Sequence, residues 1–150
     1  MKKTYIYIIC VFIIIIALII GKYFDYKNKK AELNEFNLGY EQFTKDEIVG
    51  TQLATVINKA IDNNEEFDVE KEYKEVEDKK YYFYIPNDTN SINIDIKITD
   101  NDTTYKMESL YQGEITRFVQ HYNSILFKCR KIEYNKAGKV SYMMFEQTSK

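Results

Sequence analysis

Ile92-Asn93-Ile94-Asp95-Ile96-Lys97-Ile98-Thr99 is the stretch from which the fold is read. Isoleucine occupies every second position and a polar residue every other one. Successive strand side chains point to opposite faces, so all four isoleucines share one face while Asn93, Asp95, Lys97 and Thr99 share the other. A helix would scatter that set around its circumference. The segment is therefore predicted as a strand with one buried and one wet face.

Reading outward from this strand, Tyr81 to Ile85 before Pro86 forms a second predicted strand, closed by the turn-rich Pro86-Asn87-Asp88-Thr89-Asn90. Downstream, Asp100-Asn101-Asp102 turns the chain and Thr103 to Met107 forms a short strand. Gln112 to Tyr122 places Ile115, Phe118, Val119 and Tyr122 at helical spacing. The chain closes with a predicted hairpin of Ser124 to Tyr134, the turn Asn135-Lys136-Ala137-Gly138, and Lys139 to Gln147. Ile125, Phe127 and Cys129 share one phase, whereas Ile132 and Tyr134 share the other. A bulge near Arg130 or Lys131 reconciles them.

Upstream, Glu65 to Lys80 is a charge run with Phe67, Val69, Tyr73 and Val76 scattered through it, an edge strand or a mobile loop. Before it, Ile48, Val49, Leu53, Val56, Ile57, Ala60 and Ile61 recur near 3.6-residue spacing. Thr44-Lys45-Asp46-Glu47 reads as a capping box, and Asn63-Asn64 as an exit, so the spacing predicts a helix over Lys45 to Asp62. Gly50 inside it costs up to about 1 kcal/mol relative to Ala, which implies a kink there or a close neighbour. Ala31 to Phe43 is loosely helical and reads as a stalk.

The amino-terminal run Tyr5 to Ile20 contains no charge and follows Lys2 and Lys3. At 1.5 Å per residue, about sixteen to eighteen such residues reach roughly 24–27 Å, just short of a hydrocarbon core of about 30 Å. Lys3 and Lys22 can snorkel, and Tyr5, Tyr23 and Phe24 suit the interface, so the segment can span. A cleaved signal peptide competes with this reading, but Gly21-Lys22-Tyr23-Phe24-Asp25 lacks a small-x-small cleavage site. An uncleaved anchor is expected. Counting basic residues on either flank puts the domain in the cytoplasm, whereas the signal-like layout leads it across; the extracytoplasmic side is favoured. Residues 1–30 are then a transmembrane anchor with its basic flank, and 31–150 a soluble domain. The fold class expected is α+β: a transmembrane helix, then a helix and a small antiparallel β-sheet with one further helix.

The 150 residues carry 21 Lys plus Arg against 23 Asp plus Glu, with 45% hydrophobic and 15% aromatic residues. That supports a packed core and excludes wholesale disorder. Six of the 21 basic residues but only one of the 23 acids lie at or before Lys30, so the domain is near −7. Such a surface repels anionic polymers, and no nucleic-acid partner is expected. Two cysteines cannot build a disulfide scaffold or a four-Cys zinc site.

No catalytic, cofactor-binding or metal-ligating residue is assigned. Asp100-Asn101-Asp102-Thr103-Thr104 opens like a calcium loop, yet Tyr105 stands where glycine is needed and Tyr111 where a bidentate Glu is needed, so a hairpin turn is expected. His121 and Cys129 are the only residues from which a thiol nucleophile and base could be assembled, the other cysteine, Cys10, lying in the apolar run. Cys129 reads more simply as a small buried hydrophobe. The acids Glu65, Glu66, Asp68, Glu70, Glu72, Glu75, Glu77 and Asp78 interleave with lysines and read as a solvated surface. Lys128, Arg130, Lys131, Lys136 and Lys139 read as protection of a sheet edge.

Several stretches carry a resemblance: Gly50 to Asn64, Tyr84-Ile85-Pro86-Asn87, Asp100 to Tyr105, Phe127-Lys128-Cys129 and Phe145-Glu146-Gln147. Together they resemble single-pass, membrane-anchored proteins of low-GC Firmicutes, a group without an assigned activity. The resemblance implies a bacterial setting and covers most of the chain after the anchor. In outline the chain is also similar to a pilin or pseudopilin, a hydrophobic helix leading into an antiparallel sheet, although Tyr5 to Ile20 lacks the glutamate of pilin precursors. The function expected is a non-enzymatic assembly or interaction subunit at the cell envelope, held in the membrane through Tyr5 to Ile20 and facing a protein partner. A sensory or ligand-binding domain, with Tyr82, Tyr84, Tyr105 and Tyr111 lining a pocket, is the alternative; a hydrolase using Cys129 and His121 is the third.

Overall fold

The computed structural model describes residues 2–76, 79–100, 102–113 and 115–149. Glu77 and Asp78 of the acidic run, Asn101 of the calcium-like loop, and the side chains of Lys2 and Lys3 lie outside the described set. In chain order the elements are α1 (Lys2–Glu41), β1 (Ile48–Val49), α2 (Gly50–Glu66), β2 (Lys71–Val76), β3 (Lys79–Tyr84) and β4 (Asn93–Ile98). They continue with β5 (Thr103–Lys106), α3 (Met107–Gln112), α4 (Ile115–Tyr122), β6 (Leu126–Tyr134) and β7 (Val140–Gln147). The fold is α+β, as the patterning predicts. It divides into two compact units, Met1–Phe36 and Asn37–Lys150.

The first unit is helix alone. Its described large apolar side chains from Tyr5 to Ile20 are 47% to 72% exposed, and the helix is long and apolar enough to cross a membrane. Helical structure continues to Glu41, through the region read as a stalk. Thr44 then donates its hydroxyl to the Glu41 carbonyl at 2.8 Å.

In the second unit a five-stranded sheet runs β1-β6-β7-β4-β5, and β2 and β3 form a separate antiparallel hairpin. The large sheet is mixed, because β4 lies parallel to β7 while its other pairings are antiparallel. Alternation along β4 is as read: Ile94, Ile96 and Ile98 are buried between half-buried polar neighbours. The register of β6 against β7 shifts between Cys129 and Lys131, at the expected bulge, and again between Glu133 and Tyr134. Helix α2 touches β4, β6, α3 and α4. Its Leu53, Val56, Ile57, Ala60 and Ile61 are fully buried, as are Ile96, Phe127, Met143 and Phe145 of the sheet.

Three local readings are corrected. The capping box at Thr44 does not open a helix. Ile48 and Val49 pair with Phe127 and Leu126, and the Gly50 amide donates to the Ile125 carbonyl at 3.1 Å, so helix α2 starts at Gly50. Two β-branched residues gain more on the edge of the sheet than in a first helical turn. The cap function passes to Gln52, whose Oε1 accepts from the Val49 amide at 3.1 Å.

Asn63-Asn64 is not an exit. Helix α2 runs on to Glu66, and both asparagines are buried. Asn64 donates through Nδ2 to the Ile92 carbonyl and accepts through Oδ1 from the Ile92 amide, both at 2.8 Å. A carboxamide offers one donor and one acceptor side by side, as a peptide group does, so Asn64 extends the hydrogen bonding of the β4 segment where no strand reaches.

The helix expected over Gln112 to Tyr122 is two helices. Gly113, whose amide donates to the Ser109 carbonyl at 2.9 Å, closes α3, and α4 starts at Ile115; Glu114 lies outside the described residues. Glycine has the weakest helix propensity apart from proline and is the natural stop. Of the two readings of Glu65 to Lys80, the strand is correct: Lys71 to Val76 pairs in register with Tyr84 to Lys79.

Candidate functional site

Helix α3 holds the β2–β3 hairpin through two side chains four residues apart. Glu108 Oε1 accepts from the Tyr84 amide at 3.2 Å, and Gln112 exchanges two bonds with Tyr82: Oε1 accepts from its amide at 3.0 Å and Nε2 donates to its carbonyl at 2.7 Å. The match is geometric. Four helical residues rise about 6 Å, close to the roughly 6.7 Å that separates alternate residues of a strand. Glu108 is 3% exposed, and burial pushes its carboxyl above the ordinary glutamate range. The Tyr84 hydroxyl donates to Glu65 at 2.6 Å, and Lys71 pairs with the same carboxylate at 2.7 Å while lying over the Tyr82 ring at 4.5 Å. The Lys71 bond, and then that of Tyr84, hold the Glu65 carboxyl below its usual range.

Two concavities flank this docked hairpin, and Phe83 lines both. The first, about 720 Å³, is polar. Tyr84, Ser91, Lys106, Glu108, Glu133 and Tyr142 are among its walls. Its groups are engaged with one another: the Tyr142 hydroxyl donates to Asp95 at 3.0 Å, Lys106 bridges to the same carboxylate at 2.7 Å, and Ser91 accepts from the Asn87 amide at 2.7 Å. Burial, followed by the charge of Asp95, pushes the Tyr142 phenol up to about 12. A ligand here would have to break bonds already made, so the walls serve chiefly to join β4, β7 and the turn after β3.

The second concavity, about 460 Å³, is aromatic. Tyr81 and Phe83 of β3, Tyr105 of β5, Leu110 of α3 and Phe118 and Tyr122 of α4 form its body, with Arg117 and His121 also lining it. Sequence spacing places these groups. On α4, Arg117 and His121 are four apart and stack in one exposed row, while Phe118 and Tyr122, also four apart, form the adjoining row. The Phe118 and Tyr122 rings stack with centroids 5.0 Å apart, and Phe127 meets them at 5.9 and 6.2 Å. Close packing fixes the end of α4: a Cβ on Gly50 would stand 2.0 Å from the Tyr122 carbonyl oxygen. Of the two readings of Gly50, a kink or a close neighbour, the close neighbour is the one found.

The residues singled out from sequence are dispersed. His121 is exposed at the end of α4, and Cys129 is half-buried on β6 with Sγ 3.2 Å from the Lys131 carbonyl; among the described residues no hydrogen bond joins the two. Burial pushes the Cys129 thiol up, away from thiolate character. Tyr84 lines the polar cleft, Tyr105 the aromatic pocket and Tyr111 a shallow depression by α4, so the four tyrosines do not share one wall. Asp100 accepts from Gln147 Nε2 at 2.9 Å and Asp102 lies 3.6 Å from Lys97, both beside the β4–β5 turn. Arg130 and Lys131 are exposed on β6 beyond its short pairing with β1, where Arg130 meets Glu146 at 2.8 Å. Charge and a bulge at that edge suit the protective role read from sequence. The aromatic pocket itself was missed. In the sequence Phe118 and Tyr122 enter only at the helical spacing they share with Ile115 and Val119, and His121 only as a base for Cys129.

The chain matches no protein-family model, and neither a curated protein nor a solved structure is significantly similar to it.

Proposed function

We propose that the chain is a single-pass membrane protein, held through Tyr5 to Ile20, whose unit Asn37–Lys150 acts outside the cytoplasm as a non-enzymatic assembly or interaction subunit of a bacterial cell envelope, pilin-like in outline. The observation that supports it is the run of exposed apolar side chains on α1. Each large one gains about 1.5–3 kcal/mol on leaving water, which lipid provides along the whole run. The near −7 charge beyond Lys30 suits a solvated domain next to a bilayer rather than one lying on anionic lipid.

Expression of the full chain in a Gram-positive host tests both parts. The chain should stay with membranes through alkaline extraction, keep its first residues, and lose Asn37–Lys150 to protease added to intact protoplasts. Recovery of a trimmed, soluble chain, or a domain protected inside the protoplast, would overturn the anchor or its orientation. In-cell cross-linking should yield one defined heteromeric or homomeric adduct; a chain that stays uncross-linked at every surface position tried would refute the subunit role.

A membrane-anchored ligand-binding domain is the second reading. What favours it is the aromatic pocket of α3, α4 and β3, a concavity of ligand size beside two basic side chains.

A further inference from the structure

We propose that two copies of this chain pair through the outer edge of β2, antiparallel about a two-fold axis at Tyr73, so that their β2–β3 hairpins join into one four-stranded sheet. This rests on the assembly-subunit reading and deepens it, the partner being a second copy of the chain.

The edge comes first. The Ile85 amide donates to the Glu70 carbonyl at 2.8 Å, and the register continues with Lys71 opposite Tyr84 and Glu72 opposite Phe83. Hydrogen-bonded and non-hydrogen-bonded pairs alternate along an antiparallel ladder, so Glu72 and Lys74 bond to β3, whereas the backbone groups of Lys71, Tyr73 and Glu75 point away from it. The far side of the hairpin has the same phase: the amides of Tyr82 and Tyr84, which stand opposite Tyr73 and Lys71, are taken by Gln112 and Glu108 of α3. Helix α3 thus closes the β3 edge. Among the described residues the β2 edge has no such cover, since β2 pairs with β3 alone and Glu72 to Glu75 are exposed. An open strand edge is a template for one more strand, and main-chain bonds formed there supply affinity.

Register selects the partner. Two such edges bond only when outward-facing residues stand opposite one another, so a two-fold axis within β2 passes through Glu72, Tyr73 or Lys74. Centred on Glu72 or Lys74, it sets that residue against its own copy, like charge on like. Centred on Tyr73, it sets Lys71 against Glu75 of the second copy and Glu72 against Lys74, opposite charges throughout, with the two Tyr73 side chains together. Tyr73 is 61% exposed in the single chain and gains cover there. The domain as a whole is near −7 and repels its own copy, but Lys71–Val76 holds two lysines and two glutamates and is neutral. No side chain has to be released. Lys71 stays on Glu65 at 2.7 Å and Lys74 on Glu72 at 2.8 Å; the sign of each charge chooses the register. An isologous contact closes at two copies, and α3 leaves the hairpin no second edge from which to grow.

The test uses the full chain in host membranes, carrying Cys10→Ser and Cys129→Ala so that one introduced thiol reports. In the proposed pair the Cα atoms of the two Tyr73 residues lie about 5.5 Å apart, inside the roughly 4.4–6.8 Å that a disulfide spans. Tyr73→Cys should therefore oxidise to a covalent dimer with copper phenanthroline. Glu75→Cys alone should link about tenfold less, because that position and its own copy stand about 13 Å apart along the strands. Co-expressed Lys71→Cys and Glu75→Cys chains should link to each other, since those positions are opposed. Charge is tested on the Tyr73→Cys chain: Glu72→Lys and Lys74→Glu should each lower its yield about tenfold when expressed alone, and the two co-expressed with tags of different size should link mainly to each other. Near-UV circular dichroism of each variant establishes that the unit is folded.

A Tyr73→Cys chain that stays monomeric while cysteines elsewhere on the surface cross-link would overturn the β2 interface and leave the subunit role standing. No cross-link at any position would overturn both. Linkage of Tyr73→Cys only to a different protein would overturn the second copy as partner. Glu75→Cys linking as well as Tyr73→Cys would overturn the register, and random linkage between the two charge variants would overturn selection by charge.

Discussion

Replacing Gly50 by alanine sets two effects of opposite sign against each other. Ala is favoured over Gly in a helix by up to about 1 kcal/mol, so propensity predicts a stabilised protein. Packing predicts the reverse. The added Cβ would meet the Tyr122 carbonyl oxygen at 2.0 Å and its carbon at 2.6 Å, where carbon contacts are ordinarily about 3.5–4.0 Å. Relief requires a backbone shift of more than 1 Å or so, and Tyr122 is held on three sides: by the stacked Phe118 ring, by Phe127, and by the Ile125 amide that donates to its carbonyl at 3.1 Å. Overpacking of a fixed site costs about 1–3 kcal/mol, and an overlap with backbone belongs at the upper end, for a net loss of about 2 kcal/mol.

For a unit of this size that is a fall in melting temperature on the order of 10 °C. Near-UV circular dichroism is the assay, because it follows tyrosine packing and ignores the isolated part of α1. Gly39→Ala is the control: its Cβ also comes within 2.0 Å of an atom, but that atom is Lys59 Nζ, the tip of a flexible chain lying 4.7 Å from the Tyr40 ring centroid. Swinging Lys59 aside loses about 0.5–1 kcal/mol of cation–π attraction and leaves the helix gain, so Gly39→Ala should melt close to the wild type. A Gly50→Ala protein as stable as the wild type, or a Gly39→Ala protein equally damaged, would refute the reasoning.

Asn64→Leu should cost about 3–5 kcal/mol, since it leaves both polar backbone groups of buried Ile92 without partners; urea unfolding measures the loss, and amide exchange at Ile92 should accelerate. Glu108→Gln keeps an acceptor for the Tyr84 amide and removes a carboxyl whose folded pKa lies above its unfolded value. Its penalty to the wild type is therefore absent below the ordinary glutamate pKa near 4.5 and grows as pH rises through the folded value, so the variant should gain relative stability with increasing pH across that window. A stability difference independent of pH would contradict this. In a Cys10→Ser background, Cys129 should react with a disulfide reagent at neutral pH far more slowly in the native protein than after unfolding, because burial raises its thiol.

Legibility followed the range of the interaction that produces each feature. The alternation Ile92 to Ile98, the helical spacing from Leu53 to Ile61, and the bulge beside Arg130 are consequences of local period, and each was readable where it stands. The start of α2 was misplaced because Thr44 to Glu47 satisfies a local rule, whereas Ile48 is claimed by Phe127 far along the chain. The aromatic pocket was illegible for the same reason. Its α4 rows have a helical period, but Tyr81, Tyr105 and Leu110 come from three other elements, and nothing local distinguishes a ring that lines a pocket from one that fills a core.

The sequence by itself determined the apolar amino-terminal helix, the α+β class and the wet and dry faces of its principal strand, because side-chain periodicity and helix rise act within a few residues. Only tertiary structure decided how the unpaired backbone is completed. Asn37 bonds to Gly138 and Val140, Asn64 to Ile92, and Gln112 to Tyr82, across separations of 28 to 103 residues. A carboxamide closes a strand's hydrogen bonds as well as another strand would. It carries no period, and its partner is fixed only when the two segments are brought together.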